Sequence, residues 1–374
     1  MTATAAPNMT DKMRAWLYTS APNGLEKALF LSDNAKAPRM TAQGLGKSDI
    51  VVRVEAASIN PADYKLPEMT AAVTPRFLAS SSSASLPKPD EPAPSGAKSP
   101  GFDFAGTVAA TGAAVDTFRV GERVFGRCKV PPAFGTLGEY VVASYDGLCR
   151  LPDNVSFEQG AAVGTAALTA YQCIAPYVTP NSNGAGKVFI NGGSGGTGTW
   201  GIQIAKALGC HVTTTCSARN VDFVRSLGAD EVIDYTSQDV VKELTAKGKV
   251  FKLVVDNVGT PANLYKAADD FLVPQESHFV QVGAASSAAG LTNLLSRSLV
   301  PSFLGGGKSK FIFFLTKNIH ADLEQLAAWM KEEKVEPVID EVFEWTDAPA
   351  AYAKLKTSRA RGNIVVKGAP AIKN

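Results

Sequence analysis

Residues 187–198 read KVFINGGSGGTG, a short apolar run that leads directly into a glycine-rich loop. The loop fits two patterns at once, G-x-G-x-x-G at residues 193–198 and G-x-S-x-G at residues 192–196. The first pattern cradles a phosphate group, whereas the second makes Ser194 an attacking nucleophile. Because both patterns need a strand before the loop and a helix after it, the surrounding sequence has to decide between them.

Strands and helices alternate along the chain after this loop. The predicted strands are HVTTTC (211–216), DEVIDY (230–235), FKLVVDNVG (251–259), HFVQVGA (278–284) and KFIFFL (310–315). The predicted helices are GTWGIQIAKALG (198–209), NVDFVRSLG (220–228), SQDVVKELTAK (237–247), PANLYKAADDFL (261–272) and ADLEQLAAWMKEEK (321–334). This alternation predicts βαβ units on a parallel sheet, the setting in which glycines let backbone N–H groups approach a pyrophosphate.

The nucleophile interpretation of Ser194 needs a histidine and an acid later in the chain, and an oxyanion loop before it. Asp256 and either His278 or His320 could supply the first two groups. However, no histidine precedes His211, so a His-Gly-Gly oxyanion loop is absent. The phosphate-binding interpretation is therefore favoured, with Ser194 as a small residue of the turn.

The residues at the end of the strand HVTTTC (211–216), which is the second strand counted from KVFIN, favour NADPH over NADH. An acidic residue there would bind the ribose 2′-hydroxyl of NADH, but residues 213–220 read TTTCSARN and contain no Asp or Glu. Ser217 and Arg219 instead suit a 2′-phosphate, because a guanidinium group binds phosphate through two parallel hydrogen bonds. The alternative is that Arg219 is an ordinary solvated side chain.

The first third of the chain predicts a β domain. Short strand-like segments with glycine punctuation run from DIVVRVEAASI (49–59) to GLCRLP (147–152), and residues 336–366 return to this pattern. Residues 79–100 are rich in Ser, Pro and Ala and predict a mobile surface loop. A lid beside the active site is the alternative role for that loop.

Composition and charge exclude several classes of protein. The chain has 374 residues, which is enough for two domains. Its formal net charge of +2 creates no long-range electrostatic attraction for nucleic acid. No apolar run approaches the ~18 residues that a membrane span needs. The five cysteines are scattered without C-x-x-C spacing. The first residues of the sequence lack the apolar core of a secretory signal peptide. We therefore expect no metal site and a cytoplasmic location.

Six segments in order along the chain carry a family resemblance. They are AASINPADYK (56–65), PGFDFAGTVAATGAAVDTFRVGERVFG (100–126), LTAYQ (168–172), NGGSGGTGTWGIQIAKALG (191–209), SLGADEVIDY (226–235) and RGNIVV (361–366). Together they resemble the medium-chain dehydrogenase/reductase superfamily, especially its zinc-free quinone oxidoreductase and enone reductase branch. The resemblance implies an α/β plus β fold, with a GroES-like β-barrel domain (1–160 and 336–374) and an inserted Rossmann domain with a doubly wound parallel sheet (161–335).

The resemblance also implies the reaction, an NADPH-dependent reduction of an α,β-unsaturated carbonyl or a quinone without zinc. Hydride addition develops negative charge on the carbonyl oxygen, which a nearby donor stabilises before a proton is supplied. By resemblance Asn60 and Lys65 face the substrate, with the lysine as electrophile. Some quinone reductases place a tyrosine two residues after the aspartate, whereas here Tyr64 follows Asp63 directly. The roles of Tyr64 and Lys65 therefore stay open, and a proton from water or ribose is the alternative.

Cofactor contacts are implied in the same way. Thr165 would face the nicotinamide pocket, Tyr235 the adenosine phosphate, Asn257 and Val258 the adenine and ribose, and Gly283 the nicotinamide. The loop would contribute Gly193, Ser194, Gly195, Gly196, Thr197 and Gly198.

Two other functions stay open on the sequence alone. One is an enoyl-thioester reductase of fatty-acid or polyketide chemistry, for which GGGKSK (305–310) gives a weak hint of a basic patch. The other is a sensor or structural protein that binds NADPH without turnover. The expected partner is a small-molecule enone, quinone or enoyl compound. Relatives are commonly dimers, so KFIFFL (310–315) is either the edge strand of a homodimer or an inner strand.

Overall fold

The computed structural model describes residues 11–41, 44–73, 86–179, 186–282 and 309–370. The chain forms two compact units. The first unit comprises Met1–Thr165, Asn318–Lys331 and Ile339–Asn374, and the second comprises Ala166–Lys317 and Glu332–Val338. Residues 318–331 thus group with the first unit, whereas the sequence placed them in the inserted domain. The boundaries given above stay a prediction.

The described residues form fifteen β-strands and nine α-helices. The strands are β1 (Lys12–Leu17), β2 (Phe30–Lys36), β3 (Asp49–Ile59), β4 (Asp103–Thr111), β5 (Arg123–Arg127), β6 (Tyr140–Ser144), β7 (Leu148–Arg150), β8 (Lys187–Asn191), β9 (His211–Cys216), β10 (Glu231–Asp234), β11 (Phe251–Asp256), β12 (His278–Gln281), β13 (Lys310–Phe313), β14 (Ile339–Phe343) and β15 (Asn363–Lys367). The α-helices are α1 (Leu25–Ala28), α2 (Pro61–Val73), α3 (Phe157–Ala161), α4 (Gly164–Ile174), α5 (Gly196–Ala207), α6 (Val221–Ser226), α7 (Val240–Ala246), α8 (His320–Lys331) and α9 (Ala348–Lys356). None of the helices in the described ranges is long and apolar enough to cross a membrane.

The first unit is built on a seven-stranded sheet in the order β14-β15-β3-β4-β5-β7, with β6 also paired to β3. Its central strand, β3, places Ile50, Val52 and Val54, each two residues apart, in the apolar core of the unit. β3 pairs antiparallel with β15 from the other end of the chain, and with β4, where Ser58 lies opposite Asp103. That register brings the start of α2 next to the start of β4.

The second unit is a six-stranded sheet in the order β10-β9-β8-β11-β12-β13, and every pair in it is parallel. The order reverses between β8 and β11, which is the switch point where dinucleotides bind in such sheets. The carboxyl ends of β8, β9 and β11 are Asn191, Cys216 and Asp256. The GroES-like and Rossmann fold that the resemblance implied is confirmed. β13 ends the sheet among the described strands, so KFIFFL is an edge strand there.

The helix predicted at residues 261–272 is wrong. The segment forms turns and a 3-10 helix at Ala268–Asp270. Hydrogen bonds such as Leu264 N–H to the Pro261 carbonyl, at 3.1 Å, join residues three apart and tighten the chain. This path buries Phe271 and Leu272 in the apolar cluster beneath β11 and β12.

The loop predicted as mobile, residues 79–100, is described only in part. Residues 79–85 lie outside the described residues, whereas residues 86–100 are hydrogen-bonded to β2 and to the residue that follows β1. Lys98 N–H donates to the Tyr18 carbonyl at 2.9 Å, and Asp33 N–H donates to the Pro89 carbonyl at 2.8 Å. These hydrogen bonds join the described part of the loop to the start of the chain, and the mobility of the loop stays a prediction.

Candidate functional site

Three glycines of the loop after β8 are packed so closely that no side chain fits. Gly192 has a φ of 86°, in the left-handed region. A Cβ on Gly193 would lie 2.2 Å from Thr214 Oγ1, and one on Gly198 would lie 2.1 Å from the Gly192 carbonyl oxygen. The Gly193 N–H also donates to the Thr215 carbonyl at 2.9 Å. The loop is thus held against β9, and α5 begins in close contact with it.

Gly195, in contrast, faces open space. A Cβ built on Gly195 meets no heavy atom within 4 Å. Gly195 is the N-cap of α5, and no side chain caps this end of the helix. The first N–H groups of the helix, including those of Gly196 and Thr197, have no intrahelical acceptor, and the helix dipole favours an anion there. The loop therefore fits the pyrophosphate of a dinucleotide.

Ser194, Ser217 and Arg219 lie on neighbouring loops at the ends of β8 and β9. Arg219 is exposed. Asn220 occupies the N-cap position of α6, but its side chain makes no capping hydrogen bond. Its Nδ2 instead donates to Ser194 Oγ at 3.2 Å and to Ser217 Oγ at 3.5 Å. The link between the two serines was missed because capping is the commoner role of asparagine before a helix.

A buried polar network supports these loops from below. Asn191 Nδ2 donates to Asp256 Oδ1 at 2.8 Å and to the Thr260 carbonyl at 2.7 Å, while Thr215 Oγ1 donates to Asn191 Oδ1 at 2.7 Å. Asp256 Oδ1 also accepts the Gly259 N–H at 2.8 Å. The network fixes the ends of β8, β9 and β11 relative to one another. Only the position of Asp256 at a strand end hinted at it in the sequence.

The remaining predicted cofactor residues of the second unit lie at this edge in different environments. Asn257 has both polar side-chain atoms buried with no hydrogen-bond partner, while Val258 and Tyr235 are 43% and 57% exposed. Gly283 lies outside the described residues. Unpaired amide atoms beside an open loop are what a polar nucleotide would satisfy. The residues present therefore fit a bound dinucleotide.

Asn60 lies immediately before α2, and its side chain is buried. Its backbone N–H donates to Asp63 Oδ2 at 2.7 Å, and the Asp63 N–H donates back to the Asn60 carbonyl at 3.0 Å. Asn60 Nδ2 donates to Asp103 Oδ2 at 2.8 Å, and only 6% of the residue is exposed. The structure thus brings Asn60 together with a buried carboxylate, and its role toward substrate stays a prediction.

Asp103 also binds Thr165, which the sequence assigned to the cofactor. The Thr165 N–H donates to Asp103 Oδ2 at 2.6 Å and its Oγ1 donates to Asp103 Oδ1 at 2.7 Å. Arg127 Nε donates to Thr165 Oγ1 at 3.0 Å, and its Nη1 donates to Asn318 Oδ1 at 3.0 Å. Asp103 and Arg127 therefore join the starts of α2 and α4. GFDFAG is rich in apolar and small residues, so its single acid was the only available signal.

Burial governs the protonation of this cluster. It raises the pKa of Asp103 to about 6, against the opposing effects of Arg127 and of the hydrogen bonds from Thr165 and Asn60. It also raises the pKa of Asp63 well above its usual range, and the nearby Asp103 carboxyl adds to that rise. Cys128 faces the same cluster, and burial raises the pKa of its thiol to about 12.

Tyr64 and Lys65 differ in their surroundings. The Tyr64 ring packs against the apolar core of the first unit, with Lys356 Nζ 5.4 Å from its centroid. Burial raises the pKa of Tyr64 and lowers the pKa of Lys65. A half-buried ammonium group with a lowered pKa is a better proton donor than an ordinary lysine. The roles of Tyr64 and Lys65 toward a substrate stay a prediction.

The cysteines are buried, free thiols, and burial raises their pKa values, to about 12 for Cys149 and about 11 for Cys210 and Cys216. Deprotonation to the thiolate that binds metals is thus disfavoured. Within the described ranges, no group of three or more His, Cys, Asp or Glu residues could hold a metal ion.

Known proteins resemble this chain over nearly its whole length. Residues 46–153 match the family model of the alcohol dehydrogenase GroES-like domain, and residues 227–366 match that of the zinc-binding dehydrogenase. The trans-enoyl reductase pgmF of Aspergillus terreus is 44% identical over 371 residues, covering 97% of this chain and 98% of that protein. The human mitochondrial NAD(P)H oxidoreductase RTN4IP1 is 30% identical over 379 residues, covering 97% and 91%.

A solved structure agrees with these relatives. The quinone oxidoreductase of Coxiella burnetii matches with a TM-score of 0.74 at 26% identity, over 96% of this chain and 100% of that one. The fold, the glycine loop at the switch point and the relatives together show that the chain is an oxidoreductase of the medium-chain dehydrogenase/reductase superfamily, similar to its quinone and enoyl reductases.

Proposed function

We propose that this protein reduces the C=C bond of an enoyl substrate conjugated to a carbonyl group, using NADPH and no zinc. The carbon skeleton gains a hydride at the β-carbon and a proton at the α-carbon, and NADP⁺ is released. The observation that carries the proposal is the pairing of the switch-point loop with Ser217 and Arg219 after β9, in a stretch that has no Asp or Glu until Asp222. The likeness to a trans-enoyl reductase supports the enoyl substrate.

NADPH supplies the hydride when it is bound, and the protein supplies orientation and charge. The loop from Gly192 to α5 would hold the pyrophosphate, and Arg219 with Ser217 would hold the 2′-phosphate. Asn257 would satisfy its two buried polar atoms on the nucleotide. Each of these groups stands in the second unit, at the switch-point edge of the sheet.

Lys65 is proposed as the electrophile. Its ammonium group would donate to the carbonyl oxygen as negative charge develops on that oxygen, which lowers the barrier to hydride addition. Because burial lowers the pKa of Lys65, it also gives up a proton more readily than an exposed lysine. Asn60 and Asp103 would hold the start of α2, and hence Lys65, in place.

Zinc independence and location are proposed on the cysteines. All five thiols are buried and free, and burial opposes their conversion to thiolate. Free thiols also suit a reducing compartment, so we propose the cytoplasm. A homodimer through β13 is proposed because that strand ends the described sheet, and size-exclusion chromatography with light scattering tests it.

A substrate panel tests the reaction. NADPH oxidation is followed with an enoyl thioester, an α,β-unsaturated ketone and a small quinone, and the products are identified by mass spectrometry. We expect saturated thioester in stoichiometric amount, with no loss of rate after treatment with a zinc chelator. Quinol as the sole product would favour the quinone reductase instead, the second candidate that the likeness to the Coxiella burnetii protein supports. NADPH binding without any turnover would indicate a sensor or structural protein.

A further inference from the structure

We propose that Asn220 is a positioning residue for nucleotide phosphate groups, because its side-chain amide joins the hydroxyls of Ser194 and Ser217. Asn220 Nδ2 lies 3.2 Å from Ser194 Oγ and 3.5 Å from Ser217 Oγ, and donates to both. Ser194 belongs to the glycine loop after β8, and Ser217 follows β9. The inference rests on the proposed preference for NADPH and identifies a residue that sets it.

The position of Asn220 in the fold is unusual for a helix N-cap. Its backbone N–H donates to the Ser217 carbonyl at 2.8 Å, which closes the turn before α6. Its side chain makes no bond to the helix end, although only 4% of the residue is exposed. Its Oδ1 is buried with no hydrogen-bond partner. A buried amide oxygen without a partner costs stability, so this orientation is consistent with a role other than capping.

The polarity of these hydrogen bonds gives the amide its effect. A serine hydroxyl has one proton and two lone pairs. When the Asn220 amide donates into the lone pairs of Ser194 and Ser217, both hydroxyl protons have to point elsewhere. Gly195, next to Ser194, faces open space, and Arg219, two residues after Ser217, is exposed. The protons are then free to donate to phosphate oxygens beside the guanidinium group.

An aspartate at position 220 reverses this polarity at almost constant volume. A carboxylate only accepts hydrogen bonds, so it would draw both hydroxyl protons away from the phosphate and place a negative charge near it. Aspartate is as good a helix N-cap as asparagine, so the start of α6 should be retained. Asn220→Asp therefore separates phosphate positioning from helix stability, and Asn220→Ala removes the donor without adding charge.

Isothermal titration calorimetry on the full chain compares 2′,5′-ADP, which carries the 2′-phosphate, with 5′-ADP, which lacks it. Wild type should bind 2′,5′-ADP more tightly than 5′-ADP by about tenfold or more, since a hydrogen bond to a charged group contributes roughly that factor. Asn220→Asp should weaken the binding of 2′,5′-ADP about 100-fold and the binding of 5′-ADP about tenfold. Asp239→Ala, which removes the N-cap of α7 in the same unit, is the matched control and should leave both affinities unchanged.

A double-mutant cycle shows whether Asn220 acts through the serines. In a Ser194→Ala, Ser217→Ala background the further change Asn220→Ala should weaken 2′,5′-ADP less than twofold, whereas alone it should weaken it about tenfold. The inference is overturned if Asn220→Asp and Asn220→Ala keep the wild-type ratio of the two affinities. It is also overturned if Asn220→Ala weakens the binding of 2′,5′-ADP as much in the double-serine variant as in wild type. Equal affinity of wild type for both ligands would instead overturn the proposed NADPH preference.

Discussion

At the scale of the residue, two cations carry the proposed chemistry, and their surroundings fit different tasks. Arg219 is exposed beside the glycine loop, as a group that captures a phosphate from solvent has to be. Lys65 is half-buried and its pKa is lowered by that burial. The first should set which cofactor binds, and the second should set how fast the bound substrate reacts.

Arg219→Ala should raise the Michaelis constant for NADPH about tenfold or more and leave that for NADH within about twofold, because only NADPH carries the 2′-phosphate. Steady-state kinetics with each cofactor measure this. Arg225 is an exposed arginine on α6, and the control variant Arg225→Ala should change neither Michaelis constant. Equal losses with the two cofactors would remove Arg219 from the 2′-phosphate site.

Lys65→Met should lower kcat about 100-fold at saturating NADPH, because the developing negative charge loses its donor. Cofactor affinity, measured by fluorescence titration, should not change. Lys88→Met, at an exposed position of the same unit, provides the control. Full turnover by Lys65→Met would exclude the lysine as electrophile and return attention to Tyr64.

Asp103 predicts a pH dependence of stability. Its folded pKa is about 6 and its usual value is 3.8, so the folded state holds this proton more tightly than the unfolded chain. The stabilisation from the proton is therefore complete below about pH 3.8 and is lost as the pH rises through about 6. Asp63, Arg127 and Cys128 face the same carboxyl.

Urea unfolding of wild type and Asp103→Asn between pH 4 and 7 measures this effect. The free energy of unfolding of wild type should fall relative to that of the variant across the window, because the amide does not titrate. Surface carboxylates such as Glu231, whose hydrogen bond from Lys247 and nearby charges lower its pKa, titrate alike in both proteins and cancel in the difference. A difference that stays constant with pH, or grows in favour of wild type, would contradict the assignment.

At the scale of the element, the loop between β8 and α5 combines packed and open glycines. A Cβ at position 198 would lie 2.1 Å from the carbonyl oxygen of Gly192, whereas one at position 195 meets no heavy atom within 4 Å. Close packing at Gly198 holds the start of the helix against the loop, and the free space at Gly195 is where the proposed pyrophosphate would lie. Replacing each of these two glycines with alanine separates the two roles.

Gly198→Ala should destabilise the protein by about 1–3 kcal/mol, because backbone has to move to accept the methyl group. Gly195→Ala should fold with an unfolding midpoint close to that of wild type but bind NADPH at least about tenfold more weakly, since its methyl group projects into the ligand space. Thermal unfolding and fluorescence titration of both variants measure the two effects. Unimpaired NADPH binding by Gly195→Ala would place the pyrophosphate elsewhere.

Elements with a clear period and boundary residues were predictable from the sequence. β3, β8 and β9 occupy the ranges that the apolar pattern gave. The segment after Pro261 was not, because helical spacing alone does not distinguish an α-helix from successive turns that bury Phe271 and Leu272. Local pattern determines an element only when tertiary packing does not favour another path.

Site residues divide in the same way. The places of the glycine loop, Ser217 and Arg219 at the strand ends were predictable because their spacing follows the strands, while their cofactor roles stay predictions. Asp103 and Asn220 were not assigned these contacts, since each binds partners that are distant in sequence, such as Thr165 and Ser194. Such contacts depend on the register of whole sheets, which one short segment does not encode.

At the scale of the whole molecule, the residues proposed for catalysis and those proposed for cofactor binding belong to different units. The first unit, built from both ends of the chain, holds Lys65, Asn60 and the buried Asp103 cluster. The second unit holds the switch-point loop and the residues proposed for NADPH. The family relation shows an oxidoreductase, and the central claim is that its hydride goes from NADPH to the β-carbon of an enoyl group.

Isotope transfer tests that claim most directly. The enzyme is incubated with an enoyl thioester and each of the two NADPH epimers deuterated at C4, and the product is analysed by mass spectrometry and NMR. The account predicts a saturated thioester that carries one deuterium at the β-carbon from one epimer and none from the other. A product without deuterium from either epimer, or oxidation of NADPH that leaves the double bond intact, would contradict it.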